Sequence, residues 1–300
     1  MDITKSTINE LFKGMDQQTF SKLMNTINLD KYVKKLTAYK FLQLLIISQI
    51  NKIESLAALS KHVKDEEELQ THIEFDAIST SQLSRKLGSL SPELFEKIFH
   101  HLVLEILPKV KHTPILRDIR SLCVIDSTTM SMSITQYPWA TFRKTKAGVR
   151  LYLRVVVTKE FTLPDKGVIL PAKLADRTQM SELIESDPNA LYLFDRGYVD
   201  YKKFDQFCCE GIRFITRLKK NAEIEVFSET SPDPESLIYK DQIVFLGNAQ
   251  NGTKMKHPLR FIETKDSEGN LVGIITNCFD LSANTDVDHL LRLLSLVYCV

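Results

Sequence analysis

Two short apolar runs that each close on an aspartate set the strongest constraint on this chain. Residues 122–130 read LCVIDSTTM and place Asp126 behind a β-branched run; residues 191–198 read LYLFDRGY and do the same for Asp195. Short runs rich in β-branched and aromatic residues, bounded by turn formers, predict buried strands. Two strands that display carboxylates at their ends offer what divalent-metal phosphoryl transfer needs, hard oxygen ligands on rigid elements. Each aspartate alone has a plainer role open to it. Asp126, followed by Ser-Thr-Thr, can satisfy free backbone N–H groups as a cap or turn residue. Asp195 can pair with Arg196, with Gly197 permitting a tight turn. An aspartyl nucleophile is disfavoured, because Thr128 stands where a second acid is expected. The paired occurrence of the two motifs favours metal ligation.

Composition narrows the setting. A chain of 300 residues with 43% hydrophobic content can bury a substantial core and suggests about two domains. A formal net charge of +1 gives no global signal for nucleic acid, so a DNA surface must come from local clusters of Lys and Arg. The five cysteines, Cys123, Cys208, Cys209, Cys278 and Cys299, lack a C-x-x-C spacing and read as reduced, mostly buried thiols rather than a disulfide framework or a zinc site. The seven histidines show no ligand spacing and are assigned no chemistry. No signal pattern opens the chain and no apolar stretch is long enough to span a membrane, so a cytoplasmic location with no membrane partner is expected.

Residues 1–115 read as an all-α N-terminal domain, expected to bind DNA. Apolar residues recur at three- and four-residue steps from Leu94 to Ile106 behind Ser91-Pro92, a cap followed by proline at the first helical position. Residues 79–88, STSQLSRKLG, predict a short helix ending at glycine, behind a helical segment at 54–61. The pair could form a helix-turn-helix-like element with Gln82, Arg85 and Lys86 reaching DNA, the alternative being an ordinary surface helix. From residue 122 the texture changes to short strands, at 122–125, 151–157, 168–171, 191–194 and 213–216, as expected of a mixed α/β sheet. Further strand candidates separated by turns at 224–277 suggest a β-rich insertion after a first core segment at 116–223. Basic residues cluster at Arg143, Lys144, Lys146, Arg150 and Arg154, and again at Arg213, Arg217, Lys219 and Lys220. They form either solvated faces or grips for DNA phosphates. Trp139 reads as a buried aromatic rather than a base-stacking platform.

The segments around Asp126 and Asp195, with residues 215–221 (ITRLKKN) and 273–282 (GIITNCFDLS), resemble bacterial insertion-sequence transposases of the IS-four family. The resemblance implies an α/β, ribonuclease-H-like core with an Asp-Asp-Glu triad, a helical N-terminal domain, and a β-rich insertion before the Glu. It implies Mg²⁺ or Mn²⁺ as cofactor, with Asp126 shared between two ions and Asp195 holding one. It implies double-stranded DNA as partner, at terminal inverted repeats and target, a homodimer in a synaptic complex, and a nucleoid-associated protein. The tail departs from the family. Relatives carry Tyr, Arg, Glu and Lys in fixed spacing on a later helix, whereas residues 283–300 read ANTDVDHLLRLLSLVYCV and no Glu follows Glu268. Arg292 and Tyr298 are out of order, and Asp286 and Asp288 are poor substitutes. Residues 278–300 are thus expected to be a truncated or frameshifted end and the triad broken. Three readings follow: an enzyme whose Glu comes by recoding or from another chain, a catalytically silent DNA-binding remnant that competes with intact transposase, or a decayed product.

Overall fold

The structure of the protein is a computed structural model that describes residues 12–24, 30–109, 119–158, 161–174, 176–232, 238–266 and 268–281. The readings made at Asp286, Asp288, Arg292, Tyr298 and Cys299, the truncated or frameshifted tail, and the boundary at 115/116 fall outside the described residues. The chain divides into two compact units, Met1–Val110 and Lys111–Val300.

The described part of the first unit holds α1 (Gln17–Leu23), α2 (Ala38–Ile50), α3 (Leu56–Asp65), α4 (Glu67–Ile73), α5 (Thr80–Ser89) and α6 (Pro92–Ile106), and no strand. Side-chain caps start several of them: Asp16, Thr37 and Ser55 accept the N–H of a residue three positions on. Ser79 and Gln82 form a reciprocal capping box at α5, satisfying two N–H groups that the helix cannot pair internally. Phe41, Leu44 and Ile47 of α2 pack with Leu59 and Val63 of α3, Leu69 and Ile73 of α4, and Leu83 of α5. Because α4 intervenes, α3 and α5 are not consecutive helices joined by a tight turn, which corrects the simple two-helix element expected from sequence.

The second unit is built on a ten-stranded mixed sheet. Its strands are β1 (Ser121–Met132), β2 (Thr141–Arg143), β3 (Lys146–Val157), β4 (Thr162–Pro171), β5 (Ala190–Phe194), β6 (Arg213–Arg217), β7 (Ile224–Thr230), β8 (Ile238–Leu246), β9 (Leu259–Lys265) and β10 (Leu271–Thr276). The order runs β2-β3-β1-β5-β6-β10-β9-β8-β7, with β4 also paired to β3. β3 runs antiparallel to both β1 and β4, β5 is parallel to β1 and to β6, and the remaining neighbours are antiparallel. Residues 224–276 therefore continue this same sheet through the pairing of β10 with β6, rather than forming a separate β-rich body.

Every residue of β5 is buried, as expected of a central parallel strand covered on both faces. Its alternation sends Tyr192 and Phe194 to one core and Leu191 and Leu193 to the other. On the first side, two short helices, α7 (Met180–Leu183) and α8 (Tyr201–Glu210), contribute Met180, Leu183, Phe204 and Phe207. Phe204 and Phe214 rings lie 4.6 Å apart, and Phe194 stacks on Phe214 at 5.9 Å. Such pairs add about 0.5–1.5 kcal/mol beyond burial. This aromatic wedge fixes the carboxyl end of β5, where the second acidic motif emerges.

Candidate functional site

Asp126 lies inside β1, not at its end. The strand runs on to Met132 because it stays paired with β3 along its whole length, Asp126 opposite Leu153. What ends near Asp126 is the pairing with β5, whose last matched pair is Ile125 and Phe194. Asp126 thus occupies the fork where β1 leaves one neighbour and keeps the other, and Asp195 follows directly after the facing strand. The expectation that each acid follows a strand holds for Asp195 and is shifted into the strand for Asp126.

Local hydrogen bonds fix both carboxylates. The Ser127 N–H donates to Asp126 Oδ1 at 2.7 Å, and the Gly197 N–H to Asp195 Oδ1 at 2.5 Å, where Asp195 caps the short 3₁₀ turn Arg196–Tyr198. Burial holds the Asp126 carboxyl above its ordinary range; the Ser127 N–H opposes that rise, and the charges of Asp195 and Asp176 add to it. The two sequence-derived acids therefore share one electrostatic neighbourhood.

Asp176, which sequence reasoning missed, belongs to the same neighbourhood. Its Oδ1 accepts from Arg150 Nη1 at 2.5 Å and from the Ser127 hydroxyl at 3.2 Å. A methyl group placed on Gly197 would meet Asp176 Oδ2 at 3.2 Å and Asp195 Oδ1 at 3.6 Å, so this close approach, rather than a left-handed backbone, is what favours glycine here. Tyr198 of the second motif is buried, its hydroxyl lacking a hydrogen bond of regular geometry; burial raises its pKa, with Asp176 and Asp126 adding to the rise while the Ser127 hydroxyl opposes it. Among the described residues no group of three His, Cys, Asp or Glu side chains is arranged to hold a metal ion.

The basic residues separate into different fates. Arg154 is buried, its Nη2 2.6 Å from Asp165 and 3.1 Å from Glu185, and Arg150 is committed to Asp176, so neither offers a free phosphate grip. Arg213 donates to the Pro188 carbonyl. Arg143, Lys144 and Lys146 are exposed around the β2–β3 hairpin. Half-buried Arg217 and exposed Lys219 and Lys220 line a cleft of about 590 Å³ with Arg196 and Lys240, two cations that sequence reasoning did not select. In the first unit, Gln82 and Arg85 are exposed, but Lys86 is not: it is 8% exposed with its ammonium 2.7 Å from Asp30 Oδ1. Lys86 and Leu83, three residues apart, share the buried stripe of α5, which corrects the expectation that Lys86 reaches DNA. Trp139, read as buried, is 62% exposed.

Among the described residues no helix is long and apolar enough to cross a membrane. Comparison with known proteins finds a Domain of unknown function (DUF4372) over residues 4–75 and a Transposase DDE domain over residues 117–270. The chain is 25% identical over 210 residues to the "Probable transposase for insertion sequence element IS5377" of Geobacillus stearothermophilus, covering 69% of this chain and 54% of that protein. It thus spans about half the length of that relative. The crystal structure of the NurA nuclease from Sulfolobus solfataricus is 10% identical at a TM-score of 0.28, covering 67% of this chain and 85% of that one, a likeness too slight to carry an argument. The matched transposase segment takes in both acidic motifs, the Asp176 network and most of the sheet, and on that match the chain belongs to the Transposase DDE domain family.

Proposed function

We propose that this chain is an insertion-element transposase of the IS-four type that binds terminal inverted repeats and cuts and joins DNA through Asp126, Asp195 and divalent metal ions. The observation that carries the reading is the meeting of Asp126 and Asp195 at the β1–β5 fork, close enough for their charges to interact. The order β4-β3-β1-β5-β6, three antiparallel strands followed by two parallel ones, supports a ribonuclease-H-like core with acids on its first and fourth strands in chain order of that core.

The donor set fits Mg²⁺ or Mn²⁺. One oxygen of each aspartate is held by a backbone N–H, which leaves the other to face a cation, and Mg²⁺ commonly takes one or two carboxylates with substrate phosphates completing its shell. When bound, such ions activate the attacking oxygen and stabilise the leaving one. Asp176 acts as a positioning residue, tying Arg150 and Ser127 together behind Asp126. Arg196, Lys219 and Lys220, with Arg217, would track the DNA backbone near Asp195, while Lys240 is paired with Glu263 at 3.0 Å; Arg143, Lys144 and Lys146 would track a further stretch of it. Gln82 and Arg85 would contact DNA from the first unit.

A DNA-binding protein that occupies the repeats without cutting them is the second reading, favoured because no third ligand joins Asp126 and Asp195 among the described residues. The deciding experiment offers the purified chain a duplex carrying the element's terminal repeat or a scrambled sequence, with Mg²⁺ or Mn²⁺, and resolves products on a denaturing gel. Specific cleavage that vanishes in Asp126→Asn and Asp195→Asn supports the transposase. Specific binding without cleavage supports the second reading, and no preference for the repeat overturns both.

A further inference from the structure

Away from the acidic fork, α8 and the loop between β8 and β9 bring together a cysteine, a histidine and an aspartate in a line. Asp205 and Cys209 stand four residues apart on α8 and so share a face. The Asp205 carboxylate accepts the backbone N–H groups of Lys256 and His257 at 3.0 and 2.9 Å, which pins it, and it lies 2.9 Å from His257 Nδ1. The other ring nitrogen, Nε2, lies 3.7 Å from Cys209 Sγ. Cys209 is exposed.

We infer that Cys209 is a modification site, a thiol activated by His257 and Asp205 that reacts with soft electrophiles and exchanges with small disulfides. Asp205 can only accept when ionised, so its bond to Nδ1 assigns the ring proton there and turns the Nε2 lone pair toward the thiol. The arrangement is that of an activated nucleophile, with a base within reach of the sulfur and a third group orienting the base. In exchange with a disulfide, the Cys209 proton passes to Nε2 and Sγ attacks one sulfur of the disulfide. A Cys209–sulfur bond forms as the disulfide bond breaks, and the departing thiolate takes the proton from His257. The disulfide is the only other reactant.

The neighbouring cysteines make internal controls. Cys208, the adjacent residue, is half-buried and burial pushes its thiol up to about 11, while burial likewise pushes Cys278 up to about 11 and Cys123 up to about 12. Asp205, Cys208 and Glu210 flank Cys209 along its own helix, and Lys256 and His257 lie on the loop whose backbone N–H groups Asp205 holds. This site is independent of the DNA reading, so either can fail without the other.

The test treats the folded full chain with iodoacetamide, and separately with oxidised glutathione, across pH 5.5–9.5 and assigns each modified cysteine by peptide mass spectrometry. Cys209 is expected to react at least tenfold faster than Cys208 at neutral pH. His257→Gln should slow Cys209 about tenfold with an unchanged melting curve. Reaction of Cys209 no faster than that of free cysteine at neutral pH in the wild-type chain overturns the inference even if the variant fails to fold. So does fast reaction that His257→Gln leaves untouched.

Discussion

Gly197 sits where two carboxylates come nearest the backbone, and its missing side chain is what lets them do so. Gly197→Ala would press a methyl against Asp176 Oδ2 at 3.2 Å, and that oxygen belongs to a carboxylate already bound by Arg150 and Ser127. The variant should fold, melting a few degrees lower, and lose about tenfold in cleavage, since the carboxylate must give by only a fraction of the ångström that would cost about a hundredfold. Where cleavage is absent, Mn²⁺ titration followed by paramagnetic resonance gives the same comparison. Asp126 carries a pH signature. Burial first, then Asp195 and Asp176, raises its carboxyl, so the folded chain holds that proton more tightly than the unfolded one. The resulting contribution is full below the unfolded value and is lost as pH rises through the folded one. In metal-free buffer Asp126→Asn should therefore melt higher than wild type at neutral pH, and the gap should close as pH falls below about 4; melting curves across pH check it. Asp126 and Asp195 were legible because each closes an apolar run. Asp176 was not, because its partners lie 26 and 49 residues away and only folding brings them to it.

At the scale of elements, the buried pair of Arg154 and Asp165 ties β3 to β4. Both side chains are nearly inaccessible, at 8% and 7%, and Arg154 also donates to the Leu183 carbonyl at the end of α7. Asp165→Ala would leave a buried guanidinium short of its main partner and should cost about 3–5 kcal/mol. Arg154→Met with Asp165→Leu should recover most of that, and urea midpoints distinguish the two. Charge was the wrong guide here, as it was for Lys86. A basic residue in sequence reads as solvent-facing, and only the partner, Asp165 or Asp30, reveals that it is buried. Short runs rich in β-branched and aromatic residues were the better guide: they located β5 and β6 to within one residue at each end. They could not show how far β1 runs, because residues 126–129 are all polar yet remain paired with β3.

The whole sheet ends on β7, whose seven residues are all exposed and which pairs only with β8 among the described strands. Val226 and Phe227 are 50% and 73% exposed on this open edge, the kind of strand that recruits another chain. Phe227→Lys should raise the concentration at which the protein stays monodisperse in light scattering, with no loss of melting temperature. The cationic cleft predicts a second bulk property. Lys219→Ala with Lys220→Ala should weaken all duplexes alike and flatten the salt dependence of binding by about one to two ions released. Turn residues marked the strands of 224–276 but not their attachment, since a Pro or Gly turn reads the same in a separate body as in a continuing sheet. The pairing of Asp126 with Leu153 has a last consequence. Side chains alternate along a strand, so a slip of one residue in the β1–β3 register would turn Asp126 to the opposite face and set Ser127 in its place. Such a molecule would keep most of its hydrogen bonds and pass as folded by circular dichroism. The active fraction of a refolded preparation would then report how faithfully one pair of strands chose its register.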